Sequence, residues 1–192
     1  MVQSKPRERL IETSLRLFST NGFHATGIDR ILAEAGVAKM TLYRHFRSKD
    51  ELILATLDRY ELIFRSWLEG VLRHSDLPAD KRILDLFDKL SAWFVGTTLG
   101  ELTFQGSMLT NAAAEFGQPN HPIHDAVADH VRRLSGILEE TLHDAGLPPD
   151  LANRLVVLML GGVLLAQIYR DPQVFSDARK TAKSILLENV PV

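Results

Sequence analysis

Every periodic segment of this 192-residue chain repeats its apolar side chains at helical spacing, and no stretch alternates like a strand for more than a few residues. That restricts the fold to packed helices. Glycines and prolines cut the pattern into about nine segments. The first is expected from Pro6 to Asn21, with Ile11, Leu15 and Phe18 on one face and Gly22 as its stop. Thr26 is expected to cap a short second helix bearing Ile28, Ile31, Leu32 and Ala35, with Gly36 ending it. A third runs from about Ala38 to His45. Ser48 and Glu51 form a capping box that opens a long fourth helix, whose apolar face is Leu57, Tyr60, Phe64, Trp67 and Val71.

Further helices are expected from near Pro78 to Val95, from Glu101 to Phe116, from Pro122 to Gly146, from Pro149 to Asp171-Pro172, and from Val174 to Glu188. The run from Leu155 to Ala166 is wholly apolar, but a bilayer span needs about 20 such residues. Arg154 and Arg170 close it on both sides, so it reads as a helix hidden on most of its faces. No span and no export signal is expected. The domain break is placed near residues 48–55, inside the fourth helix, dividing the chain into 1–50 and 51–192.

Net charge is −2, yet its distribution is uneven. Residues 1–53 carry nine Lys/Arg against six Asp/Glu, a net of +3, which leaves −5 for the remainder. A basic head suits local phosphate binding, because charges are screened beyond about 8–10 Å at physiological salt. Cysteine is absent, which excludes disulfides and thiolate metal sites and fits a reducing cytoplasm.

The stretch from Thr26 to Leu52 carries the chemistry. It reads as helix, glycine-containing turn and short helix, the helix-turn-helix layout whose second helix enters the major groove. Ala35 is small at the helix crossing, Val37 plugs the turn, and Leu42 and Phe46 face inward at i, i+4. The outward positions are then Lys39, Met40, Thr41, Tyr43, Arg44 and His45. A cation, two hydroxyls, a guanidinium and an imidazole suit phosphate and base-edge contacts.

These residues resemble the N-terminal domain of TetR/AcrR-type (tetracycline-repressor-like) regulators over about residues 7–57. The shared features are Gly22-Phe23, Thr26, Ile28, Ile31, Ala35-Gly36-Val37, Thr41-Leu42-Tyr43, Phe46, Lys49 and Leu52. The resemblance implies an all-α protein of about nine helices: a three-helix DNA-binding head and a helical ligand-binding and dimerisation body. It implies a non-enzymatic, cytoplasmic repressor that binds a palindromic operator as a homodimer and leaves it when a small, mostly apolar effector binds. No cofactor is implied. Thr26 and Lys49 would hold phosphates, with Lys39, Thr41, Tyr43 and Arg44 in the groove and His45 at its edge. Met40 replaces a residue that is usually small, and can touch a thymine methyl or crowd the groove. Ala38 replaces a frequent Ser, so the third helix lacks a side-chain cap.

In the body, Ser107, Asn111 and Glu115 recur at i, i+4, i+8, beside Phe104 and Met108. With Trp67, Trp93 and Phe94 they suggest a mostly apolar effector pocket; the alternative is a solvent stripe on an amphipathic helix. Glu115, His121 and His124 are metal-compatible, but their spacing fits no tight template. A small metal-dependent helical enzyme and a helical scaffold are therefore the competing readings. His130 and His143 are expected on solvent faces. The helix at 150–170 and the last helix are dimer candidates. There Gly161-Gly162 admits a close helix, either a partner's or the chain's own.

Overall fold

The computed structural model describes residues 5–73, 76–97, 99 and 102–189. Among these, nine α-helices form: α1 (Pro6–Asn21), α2 (Ile28–Ala35), α3 (Lys39–His45), α4 (Lys49–Arg73), α5 (Ala79–Phe94), α6 (Met108–Glu115), α7 (Pro122–Asp144), α8 (Leu151–Tyr169) and α9 (Gln173–Glu188). The chain packs as two compact units, 1–62 with 108–128, and 63–107 with 129–192. The division crosses α4 between Leu62 and Ile63, and it groups α6 with the N-terminal helices.

The first unit is built on α1, α2 and α3. Leu10, Ile11, Leu17, Phe18, Ile31 and Leu42 are buried in it. Gly36 ends α2 in the left-handed conformation at φ +61°, and its N–H reaches back to the Ala33 and Leu32 carbonyls. Glu34 of α2 is held by Arg16 of α1 and by Arg30 one turn earlier. The start of α4 uses the expected residues: the Glu51 N–H donates to Ser48 Oγ at 3.2 Å. The Glu51 carboxylate reaches back one residue further than a capping box requires, to the Arg47 N–H at 2.6 Å.

In the second unit α5, α8 and α9 pack on one another. The two adjacent glycines of α8 have different surroundings. A Cβ placed on Gly162 would lie 3.6 Å from the Phe175 ring and 3.8 Å from Ala178, so this glycine brings α9 close. A Cβ on Gly161 would meet nothing within 4 Å. The helix α8 is apolar and long enough to cross a membrane by length and composition alone, with 44% of its most apolar window buried. Such a signature also belongs to the core helix of a folded protein.

Three expectations are corrected. The helix expected from Glu101 to Phe116 is shorter and starts at Met108; Glu101 lies outside the described residues. Before it, Leu99 and Leu102 exchange backbone hydrogen bonds of 2.9 Å. Gly106 sits at φ +85° with the Gln167 side chain against its Cα, a backbone state no α-helix can pass through. Thr26 does not cap α2; Gly27 does, with no side-chain bond. His130 is buried rather than solvent-facing.

Replacing Gly162 by Leu should destabilise the fold by about 1–3 kcal/mol in urea titrations, because the added carbons meet Phe175. Gly162→Ala should cost nothing, since its contact distances are ordinary and alanine favours the helix.

Candidate nucleic-acid interface

The third helix has two distinct sides. Leu42 and the following Phe46 are buried and fix α3 against the unit. The Phe46 N–H closes the helix on the Leu42 carbonyl at 2.9 Å, and the Arg7 guanidinium lies 5.4 Å over the Phe46 ring. On the other side Lys39, Arg44 and His45 are exposed and Thr41 is half-buried. Met40 is 71% exposed and Tyr43 48%, the two largest apolar surfaces that this unit leaves open on α3. The helix has no side-chain cap at Ala38, so its first amides are free of side-chain acceptors. The Lys39 ammonium stands 3.8 Å from the Asp29 carboxylate of α2, an exposed pair of little energetic weight.

The two flanking residues are placed differently from expectation. Thr26 is fully buried, and its hydroxyl donates to the Gly22 carbonyl at 2.7 Å. Its side chain therefore cannot act as the phosphate donor expected of it. Lys49 is half-buried and its ammonium donates to the Phe23 carbonyl at 2.7 Å. Burial pushes the Lys49 amine below its ordinary value, while the charges of Glu115 and Asp50 oppose that shift.

Glu115 is the main correction. It was expected to face an effector beside Ser107 and Asn111. Instead its carboxylate accepts the Phe23 N–H at 2.9 Å, the His24 N–H at 2.6 Å and the His24 ring at 2.8 Å. Burial alone would raise this carboxyl, but the three hydrogen bonds outweigh it and hold it below the ordinary 4.5. Phe23 is thus clamped at both backbone ends, its N–H by α6 and its carbonyl by α4. The turn itself needs Gly22 twice. Its φ is +84°, and a Cβ there would stand 2.9 Å from Glu115 Oε1.

Rings complete the contact. Phe116 stacks on His24 at 4.8 Å, meets the buried Phe23 edge-on at 5.7 Å, and has His121 at 5.1 Å. Phe23 also packs on Phe18 at 5.0 Å. The residue that sequence reasoning missed is His24. Its partner lies 91 positions away, and no local spacing records such a pairing.

The other effector candidates are divided between the units. Trp67, Trp93, Phe94, Phe104 and Ser107 belong to the second, Met108 and Asn111 to the first. Trp93 is buried, donates its indole N–H to the Leu102 carbonyl at 3.1 Å, and meets Phe104 edge-on at 4.8 Å. Phe104 continues to Phe94 at 4.9 Å, and Phe64 joins Trp67 to Trp93. Ser107 and Met108 are buried, and Ser107 precedes the helix, so Ser107, Asn111 and Glu115 do not share one α6 face. The metal reading loses its ligands. Glu115 is committed to amides, His121 Nδ1 lies 3.3 Å from the Ile123 N–H, and no cluster of three metal-compatible residues occurs among the described residues.

The depressed Glu115 carboxyl carries a testable sign. Its stabilisation is complete above the ordinary carboxylate value and is lost as pH falls through the lower folded value. Glu115→Gln should therefore lower unfolding free energy near neutral pH. The gap to the parent should narrow as pH falls below the ordinary carboxylate value, as urea titrations at several pH values would measure.

Residues 10–56 match the family described as bacterial regulatory proteins, tetR family, and residues 79–182 match the tetracyclin repressor-like C-terminal domain. A TetR-family transcriptional regulator from Streptomyces coelicolor, solved by crystallography, is 32% identical and superposes with a TM-score of 0.82, covering 97% of this chain and 90% of that one. The reduced form of Escherichia coli NemR superposes at 0.83 with 25% identity, covering 93% of this chain and 95% of that one. NemR is described as an HTH-type transcriptional repressor. The regulator YerO of Bacillus subtilis is 44% identical over 57 residues only, 30% of this chain and 20% of that protein. Helix order, turn geometry and both family matches agree: the chain belongs to the TetR family of DNA-binding transcriptional regulators, not to an enzyme family.

Proposed function

We propose that this regulator is a cytoplasmic repressor whose α3 reads a palindromic operator as a homodimer and which a small, mostly apolar effector releases. The observation that carries the reading is the two-sidedness of α3. Leu42 is fixed inside while Lys39, Met40, Tyr43 and Arg44 stand out in solvent. In this reading residues 1–50 form the DNA-binding domain and 51–192 the sensing and dimerisation domain. Lys39 and Arg44 contact phosphate or guanine, Thr41 and Tyr43 contact backbone, and Met40 contacts a thymine methyl. His45 lies at the groove edge. Lys49 acts chiefly by holding the Phe23 carbonyl, and Thr26 through its main chain. NemR, described as a repressor, supports the direction of control.

The dimer is assigned to α8 and α9. Val157, Leu164, Leu165, Ile168 and Tyr169 leave an exposed apolar stripe on α8. A groove of about 330 Å³ runs between these helices past Gly161, Val157 and Thr181. Soluble monomers rarely leave so continuous an apolar strip uncovered. Two-fold pairing would present both copies of α3 to one duplex, giving a palindromic site. The effector is assigned to the aromatic chain of Trp67, Trp93, Phe94 and Phe104, with Ser107 as its polar neighbour. No effector contact is assigned to Met108, Asn111 or Glu115.

Tyr43→Ala and Arg44→Ala should each weaken binding to a duplex selected from a random pool by about tenfold or more, with the dimer intact. Wild-type affinity in both variants would overturn the groove assignment. Ile168→Glu should convert the dimer to a folded monomer by sedimentation, and an unchanged dimer would remove α8 from the interface.

A further inference from the structure

The contact between α6 and the α1–α2 turn is more than packing. Three hydrogen bonds converge on one carboxylate, two of them from consecutive main-chain amides. Hydrogen bonds to a charged group are stronger than those between neutral groups. The same turn is the hinge between α1, which carries the unit's core, and α2, which packs against α3. Its carbonyl side is held by Lys49, the first residue of α4. A Cβ on Gly22 would meet the Glu115 carboxylate first, and the Phe116 ring stacks on the His24 imidazole.

We propose that Glu115 is a positioning residue for DNA binding: from α6 it latches the Phe23-His24 turn and so sets α2 and α3 in the orientation that meets the duplex. The inference rests on the DNA-reading function assigned to α3. Glu115 touches no groove-facing residue of α3; it acts through the turn. Withdrawal of the carboxylate leaves two amides without acceptors and frees Phe23 from one side of its clamp. An effector that favours the withdrawn position would then lower DNA affinity by its own preference for that state.

The sign separates this proposal from simple electrostatics. Removing a negative charge near a DNA-binding face should strengthen phosphate attraction. The latch requires the opposite. Duplex selected from a random pool is the probe, with the full-length protein. Glu115→Gln keeps one acceptor oxygen but turns an amide donor towards the second N–H; Glu115→Ala removes both acceptors. Both should lose at least about tenfold in affinity, or about 1.4 kcal/mol, with alanine the worse. The slope of log affinity against log salt should become shallower by roughly one to two, because phosphate contacts are lost with the turn. A loss caused only by partial unfolding would leave that slope unchanged, and that result overturns the positioning role. Glu12→Gln, a charge removal at an exposed site of α1, should bind as the parent or tighter.

Hydrogen exchange of the Phe23 and His24 amides gives a reading independent of DNA. Exchange should accelerate at least about tenfold in Glu115→Gln, as expected for amides that lose charged acceptors. Unchanged exchange, or a Glu115→Gln protein that binds duplex at or above parental strength, overturns the proposal. If the parent protein itself selects no duplex, the DNA-reading function fails and the positioning role falls with it, while fast amide exchange in the variant would still establish the clamp. Should Glu115→Ala fail to fold, Glu115→Gln decides.

Discussion

The main chain of Phe23 is held from both sides, and the DNA-facing end of this molecule depends on that grip. A turn with a left-handed glycine has little stability of its own. Here the Gly22 conformation is fixed by what surrounds it: a carboxylate on one side, an ammonium on the other and the Phe18, Phe23 and Phe116 rings beneath. Two of the three holders come from distant parts of the chain. The helix-turn-helix is therefore completed by α6 rather than by its own sequence, although a local motif is enough to recognise it.

The charge near the candidate interface is modest. A net of +3 over residues 1–53 is small for a DNA binder. Most of its cations are paired with acids: Arg16 and Arg30 with Glu34, Arg59 with Glu8, Arg47 with Glu51, and Lys39 more loosely with Asp29, while Arg44 stands in solvent. Lys49 is diverted inward. Within a Debye length of a groove, the field depends on where the charges stand rather than on their total.

Much of the architecture could be read from the chain because punctuation and periodicity agree. Pro6, Gly22, Gly36 and Pro122 mark helix ends where the structure has them, and the first helix spans the residues expected of it. The stretch before α6 was misread for a physical reason. Leu102, Phe104, Met108 and Leu109 keep an apolar spacing compatible with a helix, and a glycine is tolerated inside one at modest cost. Gly106 stands at a positive φ, where an added Cβ would run into the Gln167 side chain, and helical spacing does not record such a tertiary neighbour. The outer row of α3 was legible because Leu42 and Phe46 determine which side is in. The placing of Glu115 was not, since helical spacing says which residues share a face but not what that face meets. Thr26 failed similarly: a hydroxyl before a helix suggests a cap, and a carbonyl four residues back took it instead.

The chain has two tryptophans, Trp67 and Trp93, and both lie in the second unit, joined through Phe64. Intrinsic emission excited at the indole band therefore watches the body alone. Opening of the head would pass unseen in such a signal while still registering in helical circular dichroism. A disagreement between those two spectroscopic melting curves would then measure how independently the two units come apart, without any label being attached.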